Sequence, residues 1–125
     1  MNVSIPVGLG ELYDKISILE IKSGKIKDPA KLAHVRKELE LLKKVAAPFP
    51  VDAALYAELT RMNARLWDVE DALRLKESRE EFDHDFVRLA RGVYATNDRR
   101  AEIKRLINVA SGSEIVEVKS YEGSG

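Results

Sequence analysis

Apolar residues that recur every three or four positions predict helices along most of the chain. The first helix is expected over residues 10–26. The second is expected to begin after Asp28, a residue type that caps helices, with Pro29 in its first turn. It is expected to end at residues 47–50, where two prolines interrupt the hydrogen-bond ladder. The pattern therefore favours an all-α fold.

The third predicted helix, residues 53–76, carries the longest apolar pattern, and Asp52 is its expected N-cap. Six apolar residues form a heptad seam, which is typical of a helix that faces a partner along its whole length: Leu55, Leu59, Met62, Leu66, Val69 and Leu73. Because a short connection joins this helix to the second, we expect the two to form an antiparallel hairpin. The second helix leaves the seam uncovered near residues 67–75, which therefore needs another partner from this chain or from a second one. A homodimer, the commonest closed assembly, is also expected.

The C-terminal half of the chain is predicted as helix with two interruptions. Ser78 and Glu81 have the spacing of a capping box, which indicates a break or bend with a new helix start. Gly92 and the Thr-Asn-Asp stretch at residues 96–98 indicate a second one, and Gly112 is expected to end the last helix.

Alternating apolar and polar residues at both ends predict two short extended arms, residues 1–8 and 113–125. A ribbon of two such arms is marginal in water, so it must lie on the helices. The expected architecture is one domain spanning residues 1–125. It is an all-α antiparallel helical hairpin or bundle with long helices and short β arms.

Composition narrows the class of protein. The chain has 125 residues and no cysteine, which excludes a disulfide scaffold, a thiolate zinc site and a cysteine nucleophile. Its 21 basic and 21 acidic side chains cancel, which argues against a general binder of nucleic acid or of membrane surfaces. No apolar run approaches the roughly 20 residues that span a bilayer, and the N-terminus does not resemble a secretory signal. We therefore expect a cytoplasmic protein without nucleic-acid or membrane partners.

The charges are nevertheless unevenly distributed. Residues 14–44 hold nine basic and five acidic side chains, residues 68–85 eight acidic and three basic, and residues 88–105 six basic and two acidic. Solvated helix faces account for this alternation. The alternative is that the segments pair by complementary charge, within one chain or between chains.

The acidic segment raises the question of a metal site. Glu77, Glu81 and Asp85 are spaced for one helix face, and carboxylate groups of this kind suit Mg²⁺, as in all-helical nucleotide pyrophosphohydrolases. A solvated acidic face is the simpler interpretation. We therefore expect no metal centre and no cofactor, with Mg²⁺ kept as the alternative.

The densest polar stretch begins at residue 97. Asn97 and Asp98 are expected at a helix start, where unpaired N–H groups favour an anion. Arg99 and Arg100 next to them could hold a carboxylate or phosphate, and Lys104 shares a helix face with Arg100. The competing interpretation is a helix cap with ion pairs, and exposed pairs of this kind stabilise a protein by only about 0–1 kcal/mol each.

Several of these segments together resemble an uncharacterised bacterial family of small helical proteins. The resemblance rests on residues 10–22 and 66–71, on Phe82-Asp83, and on residues 94–108, which contain an Asn-Asp-x-Arg-Ala-x-Ile-Lys motif followed by Lys-Ser-Tyr at residues 119–121. It implies no activity, but it does imply a setting among genes for bacterial surface polysaccharides. Its polar positions are the residues of first interest: Glu11, Asp14, Lys15, Glu20, Lys22, Trp67, Glu70, Asn97, Asp98, Arg100 and Lys104.

Two classes of function follow. The first is a non-enzymatic, oligomeric interaction or adaptor module whose polar motif orders its own fold. The second is a small enzyme or binder for an anionic metabolite, with Glu11, Asp14 or Glu70 as acid–base candidates. Its ligand-binding candidates are the remaining polar and aromatic positions: Lys15, Lys22, Trp67, Asn97, Asp98, Arg99, Arg100 and Lys104. A similarity to helical chorismate mutases points to the same class, although the arginines expected in the first helix are missing. Convergence of the charged candidates in a buried cleft favours the second class, and dispersal over the surface favours the first.

Overall fold

The computed structural model describes residues 1–113 of the chain, and it confirms the all-α fold class. Four helices follow one another in sequence: α1 (Leu9–Lys25), α2 (Pro29–Ala46), α3 (Ala53–Ser78) and α4 (His84–Ser111). None of them is both long and apolar enough to cross a membrane, in the part of the chain that is described.

Aspartates cap three of the helices. The side chain of Asp28 accepts a hydrogen bond from the backbone N–H of Lys31, and that of Asp52 accepts one from Leu55, as the sequence predicts. The predicted break after α3 is also present, but the capping box of Ser78 and Glu81 is wrong. The N-cap of α4 is instead Asp83, whose carboxylate accepts a hydrogen bond from the backbone N–H of Phe86 at 2.9 Å.

The second predicted break, at Gly92 and residues 96–98, is wrong, because α4 continues through it to Ser111. Thr96 is buried in the helix, and this packing outweighs its weak helix propensity. Gly92 has a helical backbone and no neighbouring atom that requires glycine. The helix ends as predicted at Gly112, whose φ of 71° is left-handed.

The helices do not pair as expected. α1 lies at the centre and packs on α2, α3 and α4, whereas α3 and α4 form an antiparallel hairpin. The predicted hairpin of α2 and α3 is wrong, because α2 packs only on α1 among the described helices. The seam of α3 faces α4, with Leu59 fully buried against Ile103 and Ile107. A seam shows that a partner helix exists but does not identify it.

The hairpin of α3 and α4 has two unlike halves. The core half comprises residues 53–66 and 96–111, where α1 covers the hairpin. All buried residues of α3 and α4 lie in this half. The other half, residues 67–95, is here called the tip and contains no buried residue. Its α3 arm of 12 residues, Trp67–Ser78, is about 18 Å long at 1.5 Å per residue.

The predicted β arms have no counterpart among the described residues. Residues 1–8 precede α1 without forming a helix or strand, and residues 1–7 are exposed. The predicted C-terminal arm, residues 113–125, lies outside the described residues after Ser113, as does the Lys-Ser-Tyr part of the motif.

Candidate functional site

Four of the charged candidates from the sequence, Glu11, Asp14, Arg100 and Lys104, meet between α1 and α4. Four polar residues of α4 are spaced by four positions and therefore share one helix face: Thr96, Arg100, Lys104 and Asn108. The last three bond to Asp14, Glu11 and Gly10 of α1, in that order, so the two helices run antiparallel at this contact. The residues that make these contacts, together with two that surround Asp14, are here called the polar row: Gly10, Glu11, Asp14, Ser17, Asn63, Arg100, Lys104 and Asn108.

Asp14 and Arg100 form the central pair of the polar row. The guanidinium of Arg100 donates from Nε to Asp14 Oδ1 at 2.9 Å and from Nη2 to Asp14 Oδ2 at 2.5 Å. The Asp14 side chain is 2% exposed and that of Arg100 is 26% exposed. Two parallel charge-assisted hydrogen bonds of this kind fix both the distance and the orientation of the two helices.

Two residues that the sequence did not single out complete the surroundings of Asp14. Asn63 of α3 donates from Nδ2 to Asp14 Oδ1 at 2.9 Å and to Ser17 Oγ at 2.7 Å, and the Ser17 hydroxyl donates to the Asp14 carbonyl. The only signal for Asn63 is an amide beside the apolar seam, next to Met62. The carboxylate is thus held from α1, α3 and α4 at once.

The N-terminal end of α1 forms the rest of the polar row. Lys104 Nζ lies 2.8 Å from Glu11 Oε2, and the backbone N–H of Gly10 donates to Asn108 Oδ1 at 2.8 Å. A Cβ atom on Gly10 would lie 2.4 Å from the carbonyl oxygen of Lys104, closer than real Cβ atoms approach. The lack of a side chain at Gly10 therefore permits this approach of α1 to α4.

The surroundings of Asp14 keep its carboxyl group ionised. Desolvation by burial raises the pKa, but the hydrogen bonds from Arg100 and Asn63 and the positive charges of Arg100 and Lys104 together outweigh it. The pKa of Asp14 therefore lies below its ordinary value. A carboxylate stabilised in this way is a poor general base at neutral pH.

The other residues of the dense polar stretch point elsewhere. Arg99 donates from Nε to Glu58 Oε1 of α3 at 2.8 Å, so the two adjacent arginines reach different helices. Asn97 accepts a long hydrogen bond from Arg100 at 3.4 Å, and Asp98 is exposed on α4. The prediction that Asn97 and Asp98 begin a helix with free N–H groups is wrong, since both lie inside α4.

The remaining candidates lie apart from the polar row. Lys15 is exposed, and Lys22 lies in the last turn of α1. Trp67 and Glu70 border a shallow depression on the tip together with Asp71 and Arg74. The structure therefore brings together Glu11, Asp14, Arg100 and Lys104, but it does not add Lys22 or Glu70 to them.

The acidic segment does not form one helix face. Glu77 lies in the last turn of α3, Glu81 in the connection and Asp85 in the first turn of α4, so the predicted face is wrong. Lys76 Nζ lies 3.0 Å from a carboxylate oxygen of Asp83 and 3.8 Å from one of Glu81. Within residues 1–113, no three acidic, histidine or cysteine side chains are placed to hold a metal ion.

Comparison with known proteins identifies a family without assigning an activity. A family model described as a family of unknown function (DUF6165) matches residues 1–124. The match includes both α1 and α4, and hence both sides of the polar row. No curated protein and no solved structure matches the chain.

Proposed function

The chain belongs to DUF6165, a family of unknown function, and we propose that it is a non-enzymatic helical interaction module that acts as a homodimer. One observation carries the proposal: the charged groups of the polar row pair with one another. Asp14 bonds to Arg100 and Glu11 to Lys104, each across the contact of α1 with α4. These four residues, which could have served as acid, base or anion holder, instead join two helices.

The polar row gives the module a fixed arrangement of helices. A buried ion pair adds little net stability over an apolar contact, because both charges lose their water. Its hydrogen bonds are directional, however, and a shifted register would leave the Asp14 carboxylate buried without its partners. The polar row therefore sets how α1 lies on the hairpin, and with it where the tip projects.

The tip is the proposed contact region. None of its residues is buried, and four of its large apolar side chains are about half or more exposed: Leu75, Phe82, Val87 and Tyr94. Where exposed apolar side chains form a patch, they commonly mark a protein–protein contact.

The setting of the module is part of the proposal. From its composition and charge we assign it to the cytoplasm, without a cofactor and without nucleic-acid or membrane partners. We place it beside bacterial surface-polysaccharide synthesis, as the resemblance of its motifs implies. The second class, a small enzyme or binder for an anionic metabolite, would require its anion to compete with Asp14 for Arg100 and with Glu11 for Lys104.

Two measurements test the proposed function. Sedimentation equilibrium should give twice the 14.1 kDa mass of one chain, and a monomer at high micromolar concentration would contradict the proposal. Thermal unfolding with phosphate, nucleotides and sugar nucleotides, each with and without Mg²⁺, should show no rise in the midpoint. A rise that Lys104→Met abolishes and that Arg91→Met on the tip preserves would instead support the metabolite class.

A further inference from the structure

The surface of the hairpin that α1 covers continues onto the tip. Lys25 is the last residue of α1, and its Nζ lies 3.8 Å from Oδ1 of Asp68. α1 therefore ends at the level where the tip begins. Glu70 and Val93 lie one heptad beyond Asn63 and Arg100 and therefore on the same helix faces. Glu70 is exposed and Val93 is half-buried, whereas Asn63 is buried. The described part of α1 therefore leaves this part of the hairpin uncovered.

The tip and α2 carry opposite charges. Residues 68–85 of the tip contain eight acidic and three basic side chains. Helix α2 contains five basic and two acidic side chains. Because α2 packs only on α1 among the described helices, its opposite side faces solvent.

The side of α2 that faces solvent also carries apolar side chains. Lys37, Leu41, Lys44 and Val45 are spaced so that they share one helix face, here called the outer face of α2. Leu41 is 49% exposed and Val45 is 50% exposed. The outer face thus combines apolar and positively charged groups, whereas the tip combines apolar and negatively charged groups.

Charge selects among the ways in which two copies can meet. A contact of tip with tip would bring two acidic segments together, and a contact of α2 with α2 would bring two basic ones together. Like charges facing each other disfavour both arrangements. A contact of the tip with α2 brings opposite charges together. A two-fold axis repeats this contact, so that two copies form a closed dimer.

We infer that, in the homodimer proposed above, the acidic tip of each copy docks on the outer face of α2 of the other. This inference rests on the proposed function and adds the contact surfaces to it. Asp68, Asp71 and Leu75 share one face of α3 in the tip, which lies beside the face of Glu70 and not on it. They would meet Lys37, Lys44 and the apolar residues of the outer face.

Cross-linking between copies tests the contact directly, because the chain has no cysteine of its own. Val45→Cys and Leu75→Cys are prepared as separate variants, mixed, and treated with a short bismaleimide. The cross-link from residue 45 of one copy to residue 75 of the other should exceed the 45–45 and 75–75 products. Val109→Cys, which is 62% exposed and lies on neither surface, measures random cross-linking.

Charge reversal tests the electrostatic part. The double variant Lys37→Glu/Lys44→Glu should weaken the dimer by about tenfold or more. Mixing it with Asp68→Lys/Asp71→Lys should restore dimerisation between the two variants. The control Lys15→Glu/Lys27→Glu changes the net charge equally at exposed sites outside α2 and should leave the dimer unchanged.

The outcomes separate the two proposals. A monomeric wild type would contradict both the proposed function and the inferred contact. A wild-type dimer with a dominant 75–75 or 45–45 cross-link, or without rescue by the opposite charge reversal, would contradict only the contact. The expected cross-link together with charge-dependent rescue supports both.

Discussion

The core half and the tip of the α3–α4 hairpin share one heptad pattern but differ in what covers them. In the core half, Leu59 and Ile103 are fully buried because α1 lies on the hairpin. In the tip, Leu73 and Leu89 occupy the same seam and are only half-buried. A heptad seam therefore pairs two helices, whereas full burial of its side chains requires a third helix.

The polar row accentuates the difference between the two halves. Asp14 is held by Arg100 and Asn63, all within the core half or in α1. The ion pair of Arg88 with Asp85 in the tip is exposed to water. Buried pairs depend strongly on each partner, while exposed pairs contribute about 0–1 kcal/mol. Matched substitutions in the two halves should therefore differ in their effect on stability.

The largest difference is expected for arginine. Arg100→Met leaves the Asp14 carboxylate buried without its cation, which should lower the free energy of unfolding by about 3–5 kcal/mol. Arg91→Met, at an exposed position of the tip, should change it by less than about 0.5 kcal/mol. Urea unfolding measures both values. Equal effects would show that the Asp14 pair is not a buried one.

Leucine truncation compares the seam itself. Leu59→Ala removes a fully buried side chain and should lower the free energy of unfolding by about 2–5 kcal/mol. Leu73 lies in the same seam in the tip, and its side chain is only half-buried. Leu73→Ala should therefore lower the free energy of unfolding by roughly 1 kcal/mol. The same urea series checks the difference, and a Leu73 variant as unstable as the Leu59 variant would contradict it.

Glycine substitution should give opposite signs in the two halves. At Gly10 a methyl group meets the Lys104 carbonyl, so Gly10→Ala should destabilise the protein by about 1–3 kcal/mol. At Gly92 no atom lies within 4 Å of the new methyl group, and alanine favours the helix, so Gly92→Ala should stabilise it by up to about 1 kcal/mol. Thermal unfolding midpoints decide the signs, and a stabilised Gly10→Ala would refute the close approach of α1.

The smallest effect is expected on the pH dependence of the free energy of unfolding. The folded pKa of Asp14 lies below its ordinary value of 3.8, so its ionised form contributes stability that is present at higher pH. That contribution is lost as the pH falls through the folded pKa. Below pH 5, unfolding free energies should therefore decline more steeply in the wild type than in Asp14→Asn. Parallel curves for the two proteins would show that Asp14 is not held as an anion.

Local chemistry made much of the fold predictable. Asp28 and Asp52 cap their helices by hydrogen bonds to residues three positions on, so a short stretch of sequence suffices to place both helix starts. The prediction at residues 96–98 was wrong because it also relied on local sequence alone, and these residues by themselves resemble a helix start. The burial of Thr96 under tertiary contacts keeps α4 continuous there.

Long-range pairing limited the prediction of the site. The charged residues of the α1 and α4 motifs were found, but the sequence did not show that Asp14 would meet Arg100, 86 positions later. Asn63 and Ser17 were missed because a single amide or hydroxyl has no periodic signal. The seam of α3 likewise gave no choice between α2 and α4.

Hydrogen exchange of the monomer tests the contrast between the two halves most directly. At concentrations below dimerisation, amides of α1 and of residues 100–108 should exchange only by global unfolding. Amides of the tip should open locally, at a free energy lower by at least about 2 kcal/mol. The proposed homodimer predicts that protection in the tip rises at high protein concentration. Equal opening free energies in both halves of the monomer would contradict the account.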